Sequence, residues 1–400
     1  STSTTKKKKI TMSSSSFDAQ HGPGMYSEKE DWSRVPHSER RDRPLSKDVL
    51  RELQRKSDAK GLVHLAGNLA LLVFTGVALS RSSAVVVLQI ALTFWQGFLL
   101  SALGFACQHE CVHLTAFKSK RLNEVVGFWC SVPSFSFYYH ELLMHKEHHT
   151  YTQDPARDPE LIGEFHGTSY AGGGTGGGLD PGVVAAAGRH GFKKVPQTRL
   201  QYALRFVDFG SYLKSKVAKL FRCARGQPVD YSSTTWALPV SPGDPTLKGT
   251  PASRLKNDAR LQIAITVLLF VAVGAAFSVE ALCRQWLLPA LVGPAPLFFV
   301  QLHEHAAVAL DKDDGLSNTR TTLTHPLIAF VMWNMNYHCE HHLYTTIPFH
   351  ALPKAHRLLK DAITHISHDG HLGVHAKVLT DWIPQQALAL QDAADRLKTD

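Results

Sequence analysis

Four apolar stretches without charged residues alternate with polar segments along the chain. They are residues 61–80, 82–106, 261–279 and 285–302. Each contains about 18 to 25 residues, which is enough for an α-helix to cross a bilayer. The short turn inside each pair indicates two hairpins, and Pro289, Pro294 and Pro296 predict a kink in the fourth helix.

The rest of the sequence divides into polar segments around these spans. Residues 1–45 are rich in Ser, Thr and Lys, which predicts a disordered basic tail. Residues 46–360 would form the main domain, interrupted by a Gly-rich flexible loop at 168–195, and residues 361–400 a cytosolic C-terminal extension. Apolar and basic residues alternate from 197 to 225, which predicts a basic amphipathic helix at the membrane surface.

Two other stretches are ambiguous in pattern. Residues 125–138 are apolar but too short to cross a bilayer, which indicates an interfacial or re-entrant segment. The run His365, His368, His371 and His375 is interrupted by glycines, so we expect a solvated surface loop and not a metal site.

The distribution of charge predicts an orientation. Only Arg81 and Arg284 of the 43 Lys and Arg residues fall in the two short turns, and basic residues accumulate on the cytosolic side of membrane proteins. Both termini and the segment between the hairpins should therefore face the cytosol. The net charge of +9 suits an anionic membrane surface, and no segment resembles a nucleic-acid-binding module. Six cysteines without a CxxC pair indicate a reducing compartment.

Histidines form three short motifs outside the apolar stretches. The motifs contain His109 and His113; His145, His148 and His149; and His338, His341 and His342. Residues three or four apart share one face of an α-helix, so each motif can direct its imidazole rings toward one point. A single histidine on an apolar face is usually a core residue, but two copies of HxxHH and one HxxxH indicate a common site.

The number of imidazoles predicts two metal ions, because eight or nine ligands exceed the coordination number of one ion. Neutral histidine binds iron, copper, zinc and nickel. Iron is favoured, since a redox-active pair beside apolar helices could activate oxygen next to a lipid chain. Carboxylates close to the motifs are expected to accept hydrogen bonds from the ring N–H groups. They are Glu110, Glu147, Asp154, Asp158 and Glu340.

Three other classes of protein compete with a redox enzyme. His109 to His113 is also an HExxH string, which in a membrane-embedded zinc protease would make Glu110 the general base. That interpretation leaves the other two motifs unexplained. A ferritin-like site needs two ExxH motifs, and this sequence has one. A metal transporter would place its ligands within the spans, whereas the histidine motifs lie beyond them.

With the three motifs in this order around four spans, residues 60–356 resemble the membrane fatty acid desaturase and hydroxylase superfamily, which are non-haem di-iron enzymes with three histidine boxes. The resemblance implies an all-α integral membrane protein with four transmembrane helices in two hairpins and a cytosolic-facing helical cap holding two Fe2+ ions. The implied ligands are His109, His113, His145, His148, His149, His305, His338, His341 and His342. His305 takes the place of a ninth histidine after the fourth span, where His303 competes with it. The side chains expected to support the ligands are Gln301, Asp154, Asp158 and Asn336.

The resemblance also implies O2-dependent oxidation of a lipid acyl chain, and it favours fatty acyl desaturation. The run from Thr152 to Pro155 and the Glu304-His305 pair are similar to alkane hydroxylases and to decarboxylases that produce terminal alkenes, so both reactions stay open as alternatives. The sequence has no His-Pro-Gly-Gly haem segment, and electrons are therefore expected from a separate cytochrome- or ferredoxin-type protein. The expected location is a multi-pass membrane position with the active site facing the cytosol, in the endoplasmic reticulum rather than the plastid if the source is eukaryotic.

Overall fold

The protein folds into helices with a single pair of two-residue strands in the part of the chain that the structure describes. The computed structural model describes residues 44–82, 85–153, 158, 160, 196, 198–226, 251–308 and 313–384. Most of the predicted tail at 1–45 and the Gly-rich loop at 168–195 lie outside these residues.

The helices and strands follow one another in this order. The first half contains α1 (Lys47–Leu53), α2 (Asp58–Arg81), α3 (Val86–Ala102), a π-helical turn (Leu103–Cys107), α4 (Gln108–Val112), α5 (Lys120–Ser131), α6 (Tyr138–Thr150), α7 (Arg199–Val207) and α8 (Phe209–Ala224). The second half contains α9 (Pro251–Ala276), α10 (Val279–Leu282), a π-helical turn (Cys283–Leu287), α11 (Leu288–Val292), α12 (Pro294–Gln301), β1 (Thr321–Thr322), α13 (Pro326–Val331), α14 (His338–Leu343), a 3-10 turn (Phe349–Ala351), α15 (Leu352–Leu359), β2 (Ile366–Ser367), α16 (Gly370–Lys377) and a final π-helical turn (Val378–Trp382).

Three helices of the described chain are long and apolar enough to cross a membrane. By length and composition they are Asp58–Arg81, Val86–Val112 and Ser253–Ala276. The second runs from α3 through its π-helical turn into α4, so it carries the first histidine motif at its end. Three of the four predicted spans therefore correspond to long apolar helices, although α2 and α9 begin before the predicted boundaries.

The fourth predicted span, 285–302, is a broken helix and not a continuous one. Helical structure begins at Val279, passes through the π-helical turn, stops at Gly293 and restarts with Pro294 at the first position of α12. Proline lacks a backbone N–H and its ring clashes with the preceding turn, so a break at this point is expected. The kink predicted from the prolines is present, and it divides the segment into the shorter helices α11 and α12.

The two helices of the first predicted hairpin run antiparallel, and its turn lies beside the turn of the second. The backbone N–H of Ser119, just after the first histidine motif, donates to Asp58 at the start of α2 (2.9 Å). At the opposite end, Arg284 donates to the carbonyl oxygen of Leu79 (3.2 Å). Both short turns therefore lie at one end of the helices, and the histidine motifs lie toward the other.

The segment between α5 and α6 contacts the apolar helices of the second predicted hairpin. The indole N–H of Trp286 donates to the carbonyl oxygen of Pro133 (2.8 Å). The ring of Phe135 lies 6.2 Å from Phe270 and 6.1 Å from Trp286, centroid to centroid. This contact joins the loop before the second histidine motif to both helices of the second hairpin.

The basic amphipathic segment forms two helices, α7 and α8, and not the single helix predicted over 197–225. Asp208 separates them because its backbone leaves the helical region, and its carboxylate then caps α8 by accepting the N–H of Ser211 (3.1 Å). Leu200, Leu204, Val207 and Phe221 are exposed, so these two helices have apolar side chains on their outer face.

Two of the four histidines in the C-terminal run, His371 and His375, are buried in a helix. For these two the expectation of a solvated loop was wrong. His371 and His375 lie one turn apart on α16 and are 7% and 4% exposed. The ring of His375 pairs with the Tyr202 hydroxyl and with the carbonyl oxygen of Phe299, both at 2.9 Å. Strand β2 also pairs in parallel with β1, which ties this region to the loop before the third motif.

Helices α3 and α11 pack with almost no space between their backbones. A side chain at Gly97 would collide with the carbonyl oxygen of Pro289 and with the Cα atom of Gly293 (2.8 Å). A side chain at Gly293 would meet the Ser101 hydroxyl at 2.6 Å and the backbone of Gly97. Glycine is therefore required at both positions for the two hairpins to approach this closely.

We expect Gly97→Leu to lower the free energy of unfolding by about 1–3 kcal/mol or more, because the added side chain forces the two helices apart. Gly274→Ala is the control, since a Cβ atom at Gly274 meets nothing within 4 Å. That change should be neutral or stabilise the protein by up to about 1 kcal/mol through helix propensity. The measurement is the thermal unfolding midpoint of the full chain in one detergent. Equal midpoints for the two variants would contradict the close packing.

Candidate metal centre

The first histidine motif lies where the second long helix ends. His109 is on α4 and His113 directly follows that helix as its C-terminal cap, and their ring centroids lie 4.8 Å apart. The chain then turns sharply at Leu114, whose φ of 56° lies in the left-handed region. The helix therefore ends where its second histidine meets the rest of the site.

The second and third motifs lie on separate short helices. His145, His148 and His149 occupy the last turns of α6, and all three are buried. His338, His341 and His342 make up half of α14, and they are buried as well. Trp333 and Asn334 have φ values of 51° and 59°, so a tight turn precedes α14. In both helices the spacing predicted from the sequence places the three rings on adjoining faces.

The nine histidines predicted as ligands form two adjoining clusters. The five-histidine cluster contains His109, His113, His145, His149 and His341, whose nearest nitrogens all lie within 4.8 Å of one another. The second cluster contains His148, His305, His338 and His342. His148, His305 and His342 satisfy the same limit, and so do His305 and His338 together with Glu304. The clusters touch where the rings of His149 and His342 lie 4.1 Å apart, centroid to centroid.

The nitrogens within each cluster face one another at short range. The Nε2 atom of His145 lies 2.9 Å from that of His113 and 2.8 Å from that of His149, and the Nε2 atom of His149 lies 3.2 Å from that of His341. In the second cluster the Nε2 atoms of His338 and His305 are 2.9 Å apart. One N–H cannot donate to two such neighbours at once, whereas a shared cation accepts a lone pair from each of them.

These separations fit a metal site. With metal–nitrogen bonds of about 2.1 Å, neighbouring ligand atoms on one ion lie about 3.0 to 3.6 Å apart. Neither ring nitrogen of buried His109 has a hydrogen-bond partner among the described residues. A buried polar atom without a partner is costly, and a metal ion would remove that cost.

The imidazoles are in the chemical form that binds metals. Burial lowers the pKa of His113, His149, His341 and His342 well below the usual range of histidine, and the neighbouring imidazoles lower it further. The rings are therefore neutral at pH 7, with a lone pair available for a cation. Acidification would protonate them and compete with the metal.

Asp158 has the supporting position that the sequence predicted for it. Its Oδ1 atom lies 2.8 Å from Nδ1 of His148, and both side chains are buried. A carboxylate in this position fixes the tautomer of the ring, so that Nε2 carries the lone pair directed at a metal. The other oxygen of Asp158 accepts the backbone N–H of Gln153 (2.8 Å).

The other predicted supporting residues have different surroundings. Asp154 lies outside the described residues. The side-chain amide of Asn336 donates to the carbonyl oxygen of Thr322 (3.1 Å), which holds the loop before α14 on β1. The backbone carbonyl of Gln301 accepts the N–H of Glu304 (3.0 Å) at the end of α12.

Glu110 and Glu340 point away from the clusters, contrary to expectation. The carboxylate of Glu110 accepts the Thr115 hydroxyl (2.7 Å) and the backbone N–H of Phe349 (3.1 Å). The carboxylate of Glu340 binds His356 and Thr321, each at 2.5 Å. Both glutamates therefore join the motif helices to their surroundings and do not orient the predicted ligands.

Two carboxylates at the second cluster were not predicted. Glu304 belongs to the group formed with His305 and His338 and is fully buried. Glu160 lies within 4 Å of His145, His148 and His305. Glu160 lies two residues after Asp158, and Glu304 directly precedes His305. Their closeness in sequence to these two predicted residues was the signal that could have identified them.

His303, the competitor of His305, packs on His371, with ring centroids 5.0 Å apart.

We expect Asp158→Asn to lower the metal affinity of the second cluster about 10- to 100-fold, because the neutral amide supports the His148 ring more weakly. The measurement is the metal content of the purified full chain during titration with a chelator. Asp48→Asn changes an exposed carboxylate on α1 and is the control. If both variants retained metal as the parent protein does, the supporting role of Asp158 would be wrong.

Comparison with known proteins agrees with this geometry. Residues 82–368 match the family described as "Fatty acid desaturase". This match includes all three histidine motifs, His305 and most of the described core. No curated protein matches the chain. Because the match covers well over half of the sequence, the chain belongs to the fatty acid desaturase family.

Proposed function

We propose that this protein is a membrane-bound di-iron oxidoreductase that uses O2 to oxidise a lipid acyl chain, and that the reaction is fatty acyl desaturation. The observation that carries the proposal is the meeting of nine histidines, from four separate parts of the chain, in two adjoining clusters at one end of the apolar helices. Each cluster has enough nitrogens for one ion. Family membership supports the substrate class.

Iron, when bound, would supply the redox chemistry that activates O2 for removal of hydrogen from an unactivated C–H bond. The proposed ligands are His109, His113, His145, His149 and His341 at one position and His148, His305, His338 and His342 at the other. All of these rings except half-buried His113 are buried, so bulk water is kept away from the reacting centre. Burial lowers the pKa of His149 and His342, which holds both rings neutral. Apolar residues of the long helices surround the acyl chain in this proposal.

The proposed setting is a multi-pass membrane protein with the cap and the metal centre facing the cytosol. The antiparallel hairpins support this topology, because they bring both short turns to the end opposite the motifs. The four-span arrangement then requires that the broken segment from α10 to α12 also crosses the bilayer. The endoplasmic reticulum is the proposed membrane if the source is eukaryotic.

The proposed partners are a lipid or fatty acyl substrate and a separate cytochrome- or ferredoxin-type electron carrier. Desaturation removes two hydrogens from the chain, and O2 is then reduced to water with two further electrons from the carrier. Two other reactions would use the same set of histidine ligands. They are hydroxylation, and decarboxylation of a fatty acid to a terminal alkene. They differ only in how the chain is positioned, so product analysis separates the three reactions.

The zinc protease alternative is not favoured by the contacts of Glu110. A general base must face the metal-bound water, within hydrogen-bond reach. Here the carboxylate of Glu110 accepts hydrogen bonds from Thr115 and from the backbone of Phe349. A protease site also needs only one ligand beyond His109 and His113, whereas five imidazoles meet in that cluster.

We expect His148→Ala to reduce product formation at least about 100-fold, because it removes a ligand of the second cluster. The measurement is lipid and hydrocarbon profiling of a host that expresses each variant at matched protein levels. His368→Ala is the control, since His368 is exposed and lies outside the clusters. New double bonds would support desaturation, whereas alcohols or terminal alkenes would support the alternatives. Identical profiles for a host without the protein, the parent chain and both variants would contradict the proposal.

We expect Glu110→Gln to lower lipid oxidation by less than about threefold, because the amide oxygen can still accept both hydrogen bonds. In a protease, loss of the general base would reduce turnover about 10²- to 10⁴-fold. Lipid profiles and the unfolding midpoint of the variant separate these outcomes. A stable variant that had lost all lipid oxidation would mean that Glu110 has a direct chemical role.

A further inference from the structure

We propose that Glu160 is an oxygen ligand of the second metal position, and that its other oxygen orients a histidine of the first. The inference rests on the proposed function, since it takes two bound irons as given. It makes the second position a mixed nitrogen and oxygen site, in contrast to the five-histidine cluster beside it.

One carboxylate oxygen of Glu160 faces the second cluster. Its Oε2 atom lies 3.5 Å from Nε2 of His148 and 3.7 Å from Nε2 of His305. Ligand atoms on one ion are expected about 3.0 to 3.6 Å apart. The distance to His148 falls within this range, and the distance to His305 exceeds it by about 0.1 Å. The Nε2 atom of His148 is the one directed at a metal, because Asp158 binds its Nδ1 atom.

The other oxygen of Glu160 faces the five-histidine cluster from outside. Its Oε1 atom lies 3.9 Å from Nδ1 of His145. The Nε2 atom of the same ring faces His113 and His149, so Nδ1 is the side that a supporting carboxylate would contact. A small closing movement would make this contact a hydrogen bond. Glu160 would then connect the two metal positions through one carboxylate and one imidazole.

The backbone around Glu160 is fixed by the residue that supports His148. The N–H of Glu160 donates to Oδ1 of Asp158 (2.9 Å), the same oxygen that contacts the His148 ring. The Glu160 side chain is only 7% exposed. Asp158 therefore positions both a histidine and the neighbouring glutamate, which explains why two acidic residues two positions apart lie at this point.

Charge favours a carboxylate at the second position. Two buried Fe2+ ions bring four positive charges into a region where the ligating imidazoles are neutral, and buried ions need compensating charge. Glu160 and Glu304 both lie at the second cluster, while Glu110 beside the five-histidine cluster is held by Thr115 and Phe349. Glu304 groups with His305 and His338. Glu160 is preferred as the ligand because its Oε2 atom faces the Nε2 atom of His148, which Asp158 directs at the metal.

The test compares the parent chain with Glu160→Gln, Glu160→Asp, Glu304→Gln and Glu124→Gln. Glu124 lies on α5 and serves as the matched control for removing one carboxylate. Each full chain is purified in detergent and loaded with ⁵⁷Fe2+ under anaerobic conditions. Iron per chain is measured during titration with a chelator, and the Mössbauer spectrum reports the surroundings of each iron. The unfolding midpoint shows whether each variant is folded.

We expect the parent chain and Glu124→Gln to hold two irons with two distinct spectra. Glu160→Gln should lose the iron of the second position at chelator concentrations about 10- to 100-fold lower, with the other iron retained and its spectrum slightly changed. Glu160→Asp keeps a carboxylate and should recover part of the affinity, which a purely structural role would not require.

Other results would overturn the assignment. Two irons with unchanged affinity and spectra in folded Glu160→Gln would mean that Glu160 is not a ligand. The specific loss of one iron in Glu304→Gln but not in Glu160→Gln would give the role to Glu304. If Glu160→Gln does not fold, the Glu160→Asp spectra decide the question. The shorter carboxylate should change the spectrum of the second iron, and spectra identical to those of the parent chain would overturn the assignment. A parent chain that binds no iron at all would instead contradict the proposed function, so the two failures are distinguishable.

Discussion

The arrangement of the described core depends on one constraint. Neutral imidazoles from separate segments must direct their lone pairs into one buried volume. Within the five-histidine cluster, Nε2 atoms approach one another to 2.8 Å. Such an arrangement is unfavourable without a proton or a cation between the nitrogens, because each ring is desolvated and neutral. Hydrogen bonds of Asp158, Glu110 and Glu340 hold the three motif helices in place around the converging rings.

The sequence predicted the parts of the site that local geometry determines. The HxxxH and HxxHH spacings place rings on one face of a helix, and α4, α6 and α14 carry them in that way. Apolar length predicted α2, α3 and α9. What periodicity cannot provide is the set of contacts between distant segments, such as the meeting of His149 with His341 and His342.

The errors have physical causes. Glu110 and Glu340 are next to ligands in sequence, yet adjacent residues on a helix point about 100° apart, so a helix that directs histidines inward directs these carboxylates elsewhere. Glu160 was not among the residues predicted to support or bind a metal, although it lies two residues after Asp158. The glycines of the C-terminal run suggested a loop, but Gly370 only begins α16, with a φ of 65°.

The π-helical turn at Leu103–Cys107 has a consequence for the whole second helix. A wider turn places one additional residue in the spiral, so the residues after it are rotated by about a quarter of a revolution relative to a regular helix. The buried side of Val86–Ala102 and the side that carries His109 are therefore out of phase. Val86, Val87 and Ile90 at the start of this helix are exposed, whereas residues 96–102 are buried and pack against the neighbouring hairpin. The wider turn lets the helix make this contact before Leu103 and still direct its imidazoles inward at its end. A helical wheel drawn without the wider turn would assign the first motif to the wrong side.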